Sequence, residues 1–316
     1  MTLDNIKEEI IKAKNIVLLT HENPDGDAIG SSLAMYNALK QLNKEVDLII
    51  PEMPAVYSFL TGIDEIKKES SNNNYDLAIS LDSADIKRLN GFANYFENAN
   101  TKINIDHHAS NNMFADYNFV NPDSPACAQV LITVLEYIGV NITKEIGECL
   151  ITGIITDTGG FKYAGVTSAT FEFTAWLLGL GVNVSEIYKK VLQTRTRSHF
   201  ELRKLAINRL EFLEDGKIAF TYINEEDEKN INVQTGDSSG IVEIGRDIEG
   251  VEVSVFLKQK ADSYKVSLRS NEYVNVSDVC LMFGGGGHPR AAGATVNHSL
   301  EEAKERIVNE IKKHLK

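Results

Sequence analysis

The chain is poor in cysteine, lacks long apolar runs and has no excess of positive charge, and each shortage closes a class of protein. Its only cysteines are Cys127, Cys149 and Cys280, none in a Cys-x-x-Cys spacing. Neither a disulfide framework nor a thiolate metal site is indicated, and each cysteine reads as a small buried thiol. No apolar run approaches the roughly 20 residues that span a bilayer. The first residues, Met1 to Ile11, read as an amphipathic helix with an early acidic turn, not as a signal peptide. The expectation is a soluble, cytoplasmic protein with no membrane partner. A net charge of −13 argues against a surface that tracks the phosphates of long nucleic acid, so long duplex DNA is not an expected partner. A small anionic substrate stays open, because bound cations can dominate the local field. There is no internal repeat and no low-complexity linker.

What is present is a chain of 316 residues, 43% hydrophobic and 24% charged, enough for a large core and about two domains. The first two-thirds alternates strand and helix. Residues 16–20, 46–50, 76–81 and 102–105 read as strands, with a helix from Ala28 to Leu42. Near-continuous apolar strands separated by helices predict an α/β fold with a parallel sheet covered on both faces. Helices are then expected at about 126–138, 143–156, 168–180 and 184–213. The polar stretch Gln193 to Ser198 is the candidate boundary, carried by a connecting helix. Beyond it, Lys217 to Ile223 reads as a strand, and Val251 to Lys260 with Ser263 to Ser270 as a hairpin turned at Ala261-Asp262. A glycine-rich loop at Gly284 to Gly287 and a helix from Leu300 to Leu315 close the chain. The expected division is residues 1–190, a connecting segment 191–214, and a smaller α/β domain 215–316.

Three acidic or imidazole clusters fall where predicted strands end. They are His21-Glu22-Asn23-Pro24-Asp25-Gly26-Asp27, then Asp82, then Asp106-His107-His108. In an open α/β sheet the functional crevice lies at the carboxyl ends of the strands. Carboxylates and imidazoles gathered there can hold two hard divalent ions, and such a pair clamps the attacking and leaving oxygens of a phosphoryl displacement. Asp-Gly-Asp alone would be an ordinary turn or helix N-cap, with Gly26 expected to let the backbone turn. Asp82 alone could cap Ser83 to Ile86. Coincidence with three strand ends favours metal. Asp82 is placed to bridge two ions. Asp157 ends an apolar helix, where a carboxylate opposes the dipole unless a cation is near. Oxygen and imidazole donors without sulfur suit Mn²⁺, with Mg²⁺ next and Co²⁺ as a substitute.

At these residues the chain resembles the DHH phosphoesterases, in the branch with a DHHA1 domain. The matching stretches are His21 to Ser31, Asp82 to Asp85, Asp106-His107-His108, Thr156 to Gly159, and Gly284-Gly285-Gly286-Gly287-His288-Pro289-Arg290-Ala291-Ala292-Gly293. The resemblance implies that 1–190 is a DHH catalytic domain and 215–316 a DHHA1 substrate-binding domain. It implies that His21, Asp25 and Asp82 hold one ion, and that Asp27, Asp82, His107 and Asp157 hold the other. His108 would contact the scissile phosphate and assist as proton donor, and Asp106 would orient a histidine. Compact length points to the oligoribonuclease branch, which degrades very short RNA and removes the 3′-phosphate of adenosine 3′,5′-bisphosphate (pAp). One departure is the helix start Ala126-Cys127-Ala128-Gln129, where many relatives carry a hydroxyl residue and Glu.

In the second domain, Gly285, Gly286 and Gly287 can bring backbone N–H groups close to a phosphate or base edge. His288, Arg290 and Arg269 are the candidate side chains beside them, since a guanidinium suits bidentate phosphate recognition or stacking. A glycine run alone would be a flexible turn, and Arg269 alone a solvent-facing charge. His199 reads as structural. The reading is a Mn²⁺-dependent phosphoesterase for short oligoribonucleotides and pAp, with a homodimer left open. Rivals are a phosphodiesterase of linear or cyclic di-adenylate, a non-catalytic nucleic-acid binder, and a family-II-type pyrophosphatase. The last is disfavoured by the Gly-Gly-Gly-His loop.

Overall fold

A computed structural model describes residues 2–163, 165–234 and 236–316. The chain divides into two compact units, Met1–Thr194 and Arg195–Lys316.

The first unit is built on six parallel strands: β1 (Asn15–Leu19), β2 (Glu45–Ile49), β3 (Ile66–Lys67), β4 (Leu77–Leu81), β5 (Thr101–Asp106) and β6 (Tyr117–Val120). Their order is β3-β2-β1-β4-β5-β6. The chain winds outward from β1 to β3, then returns to place β4 on the other side of β1. The winding reverses between β1 and β4, and at such a switch point a crevice opens beyond the carboxyl ends of the strands. β1 shows why both faces are covered. Ile16 and Leu18 point into the larger core, with the helices Thr2–Lys12, Gly26–Gln41, Cys127–Ile138 and Lys144–Asp157. Val17 and Leu19 point into a second core with Tyr75, Leu89 and Phe96. Side chains two apart share a face, so an unbroken apolar run feeds both.

The second unit carries β7 (Glu211–Leu213), β8 (Ile218–Ile223), β9 (Val253–Lys260), β10 (Ser263–Ser270), β11 (Gly286–His288) and β12 (Ala291–Val296). The order is β11-β12-β10-β9-β8-β7. Among the described residues of this sheet, only β8 and β9 run parallel. One face packs Val255, Leu257 and Val266 against Ala303, Ile307 and Ile311 of the helix Leu300–Lys312. The other packs Phe256 against Leu202 and Ala206 of the helix Arg197–Asn208. The mixed α/β class and the parallel, doubly covered first sheet agree with the sequence reading.

Three local expectations are corrected. Residues 184–213 are not one helix. The chain runs through Val184–Tyr188 and a π-helical turn Lys189–Gln193, restarts at Arg197–Asn208, and ends in strand β7. Thr196 is extended and its hydroxyl accepts from the His199 N–H at 2.9 Å, which makes it an N-cap. The hydroxyls of Thr196 and Ser198 both donate to Asp237 at 2.5 Å. Second, Gly284–Gly287 is not wholly a loop, because Gly286 and Gly287 enter β11. A Cβ at Gly285 would lie 2.1 Å from the Gly293 carbonyl oxygen, so this hairpin requires glycine for close approach. Third, Gly26 is needed for space and not for a turn: a Cβ there would lie 2.4 Å from Thr156.

Candidate metal centre

Each candidate ligand of the first unit sits one or two residues past a strand, or at a helix end beside one. His21 follows β1, Asp82 follows β4, and Asp106 is the last residue of β5. Asp25 is the N-cap of the helix Gly26–Gln41, where its Oδ1 accepts from the N–H groups of Asp27 and Ala28 at 3.0 and 3.1 Å. The helix-cap and ligand readings of Asp25 are compatible, since a carboxylate has a second oxygen. Asp157 is the final residue of the helix Lys144–Asp157 and leads into Gly159 and Gly160, both at positive φ. Asp82 itself has φ +56°. A left-handed non-glycine residue costs energy and persists where the surroundings over-determine it, commonly at active sites. Here the Asp82 N–H donates to the Ile105 carbonyl at 3.0 Å.

The side chains converge. Donor atoms of His21, Asp25 and Asp82 lie within 4.8 Å of one another, and those of Asp27, Asp82 and His107 do so as well. His107 Nε2 is 3.5 Å from Asp82 Oδ1, 3.5 Å from Asp157 Oδ2 and 3.9 Å from Asp27 Oδ2. His21 Nε2 is 3.7 Å from Asp82 Oδ2. Asp82 is thus common to both groups. Its Oδ1 is buried and accepts no hydrogen bond among the described residues. A buried carboxylate oxygen without a donor is costly, and a cation between these donors would satisfy it. The chemistry of these donors fits a divalent cation.

The ligands are held from behind. His107 Nδ1 donates to the Ser124 carbonyl at 3.1 Å, which leaves Nε2 facing the carboxylates. His108 Nδ1 donates to Asp106 Oδ1 at 2.7 Å, and Asp106 Oδ2 accepts from Asn111 Nδ2 at 2.7 Å. Asn111 also donates to Asn104 Oδ1 at 2.8 Å. Asp27 Oδ2 and Oδ1 accept from the N–H groups of Cys127 and Ala128 at 2.5 and 2.9 Å. The helix start at Ala126, which has no side-chain cap of its own, is therefore capped by Asp27 from another helix. Asn111 and the Cys127 helix start are functional neighbours that the sequence reading missed. Asn111 carried a faint signal, a polar residue three positions beyond His108; the Asp27 contact had none.

Electrostatics follow from burial among like charges. Burial, then the charges of Asp82 and Asp157, push Asp27 well above the usual carboxylate range. Burial and the neighbouring carboxylates Asp25 and Asp82 push Asp157 up to about 8, against the pull of His107. Burial raises Asp82 too, but His107, His21 and His108 outweigh it and hold Asp82 well below its ordinary value. His107 is the counterpart: burial lowers it, and Asp82, Asp157 and Asp27 outweigh that and raise it. Concentrated negative charge of this kind is what a pair of cations relieves.

Two family models match the chain. That for the DHH family, N-terminal domain, covers residues 15–154, and that for the DHHA1 domain covers residues 207–316. A bifunctional oligoribonuclease and PAP phosphatase NrnA from Thermus thermophilus is 36% identical over 97% of this chain and 93% of its own. The chain belongs to the DHH family. It is accordingly a phosphoester hydrolase with a DHHA1 domain. An exopolyphosphatase-related protein from Bacteroides fragilis superposes with a TM-score of 0.91 at 28% identity, over 99% of this chain and 96% of the other. A Thermus thermophilus RecJ solved with Mn²⁺ shares the fold, with a TM-score of 0.59 at 16% identity, over 98% of this chain and 54% of its own. No helix among the described residues is long and apolar enough to cross a membrane.

In the second unit, Arg269 on β10 donates from Nε to Glu243 Oε1 at 3.0 Å. His288 ends β11 and is exposed. Arg290 is exposed and is hydrogen-bonded within its own unit. Its guanidinium donates to the Val274 carbonyl at 2.7 Å, to Ser270 Oγ at 3.3 Å and to the Glu272 carbonyl, pinning the loop after β10. His199 is buried and donates from Nδ1 to the Asp237 carbonyl at 2.7 Å, in keeping with a structural role.

Proposed function

We propose that the chain is a manganese-dependent phosphoesterase that hydrolyses short oligoribonucleotides to mononucleotides and removes the 3′-phosphate of pAp. The observation that carries it is Asp82 Oδ1, buried and, among the described residues, without a hydrogen-bond donor, between two groups of oxygen and imidazole ligands. The NrnA named above, similar over nearly the whole chain, supports the substrate class. In this reading His21, Asp25 and Asp82 hold one ion, and Asp27, Asp82, His107 and Asp157 the other. Bound divalent ions supply Lewis acidity at the phosphoryl oxygens and lower the pKa of water.

The chain's own residues do the rest. Asp106 accepts from the His108 Nδ1–H and fixes the ring, so that Nε2 is the nitrogen turned to the leaving oxygen as proton donor. Asn111 fixes Asp106. Arg269, His288 and the N–H groups of Gly285 to Gly287 grip the terminal nucleotide, while Arg290 shapes the loop beside them. The imidazole content favours Mn²⁺ over all-oxygen cations such as Ca²⁺.

The test is product analysis with Mn²⁺ on pAp, linear di-adenylate, cyclic di-AMP and RNA from dimers to 24-mers, side by side. The reading expects kcat/KM to fall steeply from dimers to 24-mers, with pAp also cleaved, because the acidic chain offers extra nucleotides no basic track. Equal processing of a dimer and a 24-mer overturns the short-substrate reading. Cleavage of cyclic di-AMP alone shifts it to the di-adenylate alternative.

A further inference from the structure

The loop between Asp82 and the helix Ala93–Asn98 carries an arginine that no part of the metal centre uses. Arg88 lies in the 3₁₀ segment Ile86–Phe92 and is exposed. Its guanidinium approaches the Nε2 of His108 at 3.5 Å. The Asp106 bond is made by the other ring nitrogen, Nδ1, at 2.7 Å. Among the described residues no carboxylate pairs with Arg88, although Asp82 and Asp106 both lie within 3.6 Å of the same histidine. An arginine beside an acid-rich centre ordinarily finds an acid, and this one is held toward the imidazole instead.

The loop is built to hold it there. Asp85 accepts from the Lys87 N–H at 2.8 Å and from Asn112 Nδ2 at 3.0 Å, and the Asn112 N–H donates to the Ala84 carbonyl at 3.0 Å. The Arg88 carbonyl accepts from the Glu22 N–H at 2.9 Å, which ties it to the loop bearing His21 and Asp25. Leu89 is fully buried in the second core. Asn90 donates to the Glu22 carboxylate and stands at φ 45°, ψ −125°, a backbone conformation that non-glycine residues rarely adopt. Strain of this kind is retained where the surroundings enforce it, and it clusters at ligand clamps. Here it lies two residues beyond Arg88 in the same segment.

We propose that Arg88 contacts the substrate directly, its guanidinium donating to a non-bridging oxygen of the phosphoester that His108 faces. The inference rests on the phosphoesterase reading and adds to it a cation supplied by the chain itself. A planar fork of N–H donors fits a phosphate edge, and its charge offsets what builds on those oxygens in the transition state. Arg88 then swings from the imidazole nitrogen to the phosphate as substrate enters, leaving Nε2 free to deliver its proton.

The test compares Arg88→Ala and Arg88→Lys with the parent protein, loaded with Mn²⁺ and assayed on linear di-adenylate, with inorganic phosphate as competing inhibitor. Arg88→Ala is expected to lose about 10²-fold in kcat/KM, the scale of removing one transition-state donor. Bound manganese stays unchanged, the inhibition constant for phosphate rises, and added guanidinium ion restores part of the rate. Arg88→Lys recovers part, because an ammonium supplies charge without the fork. Activity of Arg88→Ala within about twofold of the parent overturns the proposal. Loss of manganese, or a shifted pH profile with no guanidinium rescue, also overturns it by making Arg88 a support for ligands or for His108. A parent protein that cleaves no phosphoester with manganese present overturns the phosphoesterase reading itself, and this inference with it.

Discussion

Asp106 and His108 form a 2.7 Å hydrogen bond between Oδ1 and Nδ1, and the other oxygen of Asp106 is held at 2.7 Å by Asn111. The carboxylate is fully buried. The imidazole therefore has one tautomer and one orientation, both set before substrate arrives.

Asp106→Asn should keep the shape of the side chain and lose the carboxylate that accepts from His108 Nδ1–H. The expected result is a loss of kcat of about 10²-fold, with Asn111→Ala losing about 10-fold, the range seen when partners behind a ligand are removed. Bound manganese should persist in both. An unchanged pH profile of kcat in Asp106→Asn would remove His108 from the proton-donor role.

Asp82→Ala should abolish turnover and empty at least one metal position, because both ligand groups share this carboxylate. The check is metal content by elemental analysis alongside turnover. Near-normal turnover would sink the bridging assignment.

Gly153→Ala is a sharper probe, since Gly153 is in the interior of the helix Lys144–Asp157. A Cβ there would lie 2.6 Å from Asp27 Oδ1. In an exposed helix the change would stabilise by about 1 kcal/mol. Here it should lower the melting temperature and weaken manganese binding by about 10-fold, on the scale of lost ligand support. A raised melting temperature with unaltered affinity would show that Asp27 yields freely.

The pH dependence of the metal-stripped protein has a definite sign. Burial, with Asp25 and Asp82 nearby, pushes Asp157 up to about 8 from an ordinary value of 3.8. Above the ordinary value the unfolded chain has released this proton while the folded chain still holds it. Stability therefore falls as pH rises from about 4 to about 8. The raised His107 acts in the same direction, its contribution being lost as pH rises through its folded value. Asp82, held low, contributes stability that is present above its ordinary value and is lost only toward acid. Chelator-treated protein should melt lower at pH 8 than at pH 6, and manganese should flatten the difference while releasing protons on binding. Calorimetric titration in two buffers measures the release. A stripped protein that gains stability toward pH 8 contradicts the assignment.

Arg269→Ala and His288→Ala should each raise KM for short RNA and leave the metals in place, the signature of lost uniform binding. Loss of manganese in either variant would contradict the gripping role.

The strand ends of the first unit were legible because each acidic cluster directly follows a run of apolar residues, as Asp82 follows Leu77 to Leu81. That pattern is local, and it located His21, Asp82, Asp106 and the helix end at Asp157. What escaped was set by distant partners. Strand β6 is a half-buried edge with a weak apolar signal in Tyr117-Asn118-Phe119-Val120. Strands β11 and β12 are made largely of glycine and alanine, whose small size reads as loop until the hairpin that needs it is known. The break near Thr194 was hidden because Asp237, which the Thr196 and Ser198 hydroxyls meet, lies some forty residues on. The capping of Cys127 and Ala128 by Asp27 spans about a hundred residues and left no trace in either segment.

That last contact has an evolutionary consequence. Asp27 both closes the start of a helix and, in the reading above, binds an ion. A descendant that abandoned hydrolysis would still need an acid at this position to keep the helix anchored, and drift would be resisted there by folding alone. Persistence of the first motif in a distant relative is therefore weak proof of retained catalysis. Asp82 is the better witness: its buried Oδ1 has no hydrogen-bond donor among the described residues, and without an ion selection would have little reason to keep it.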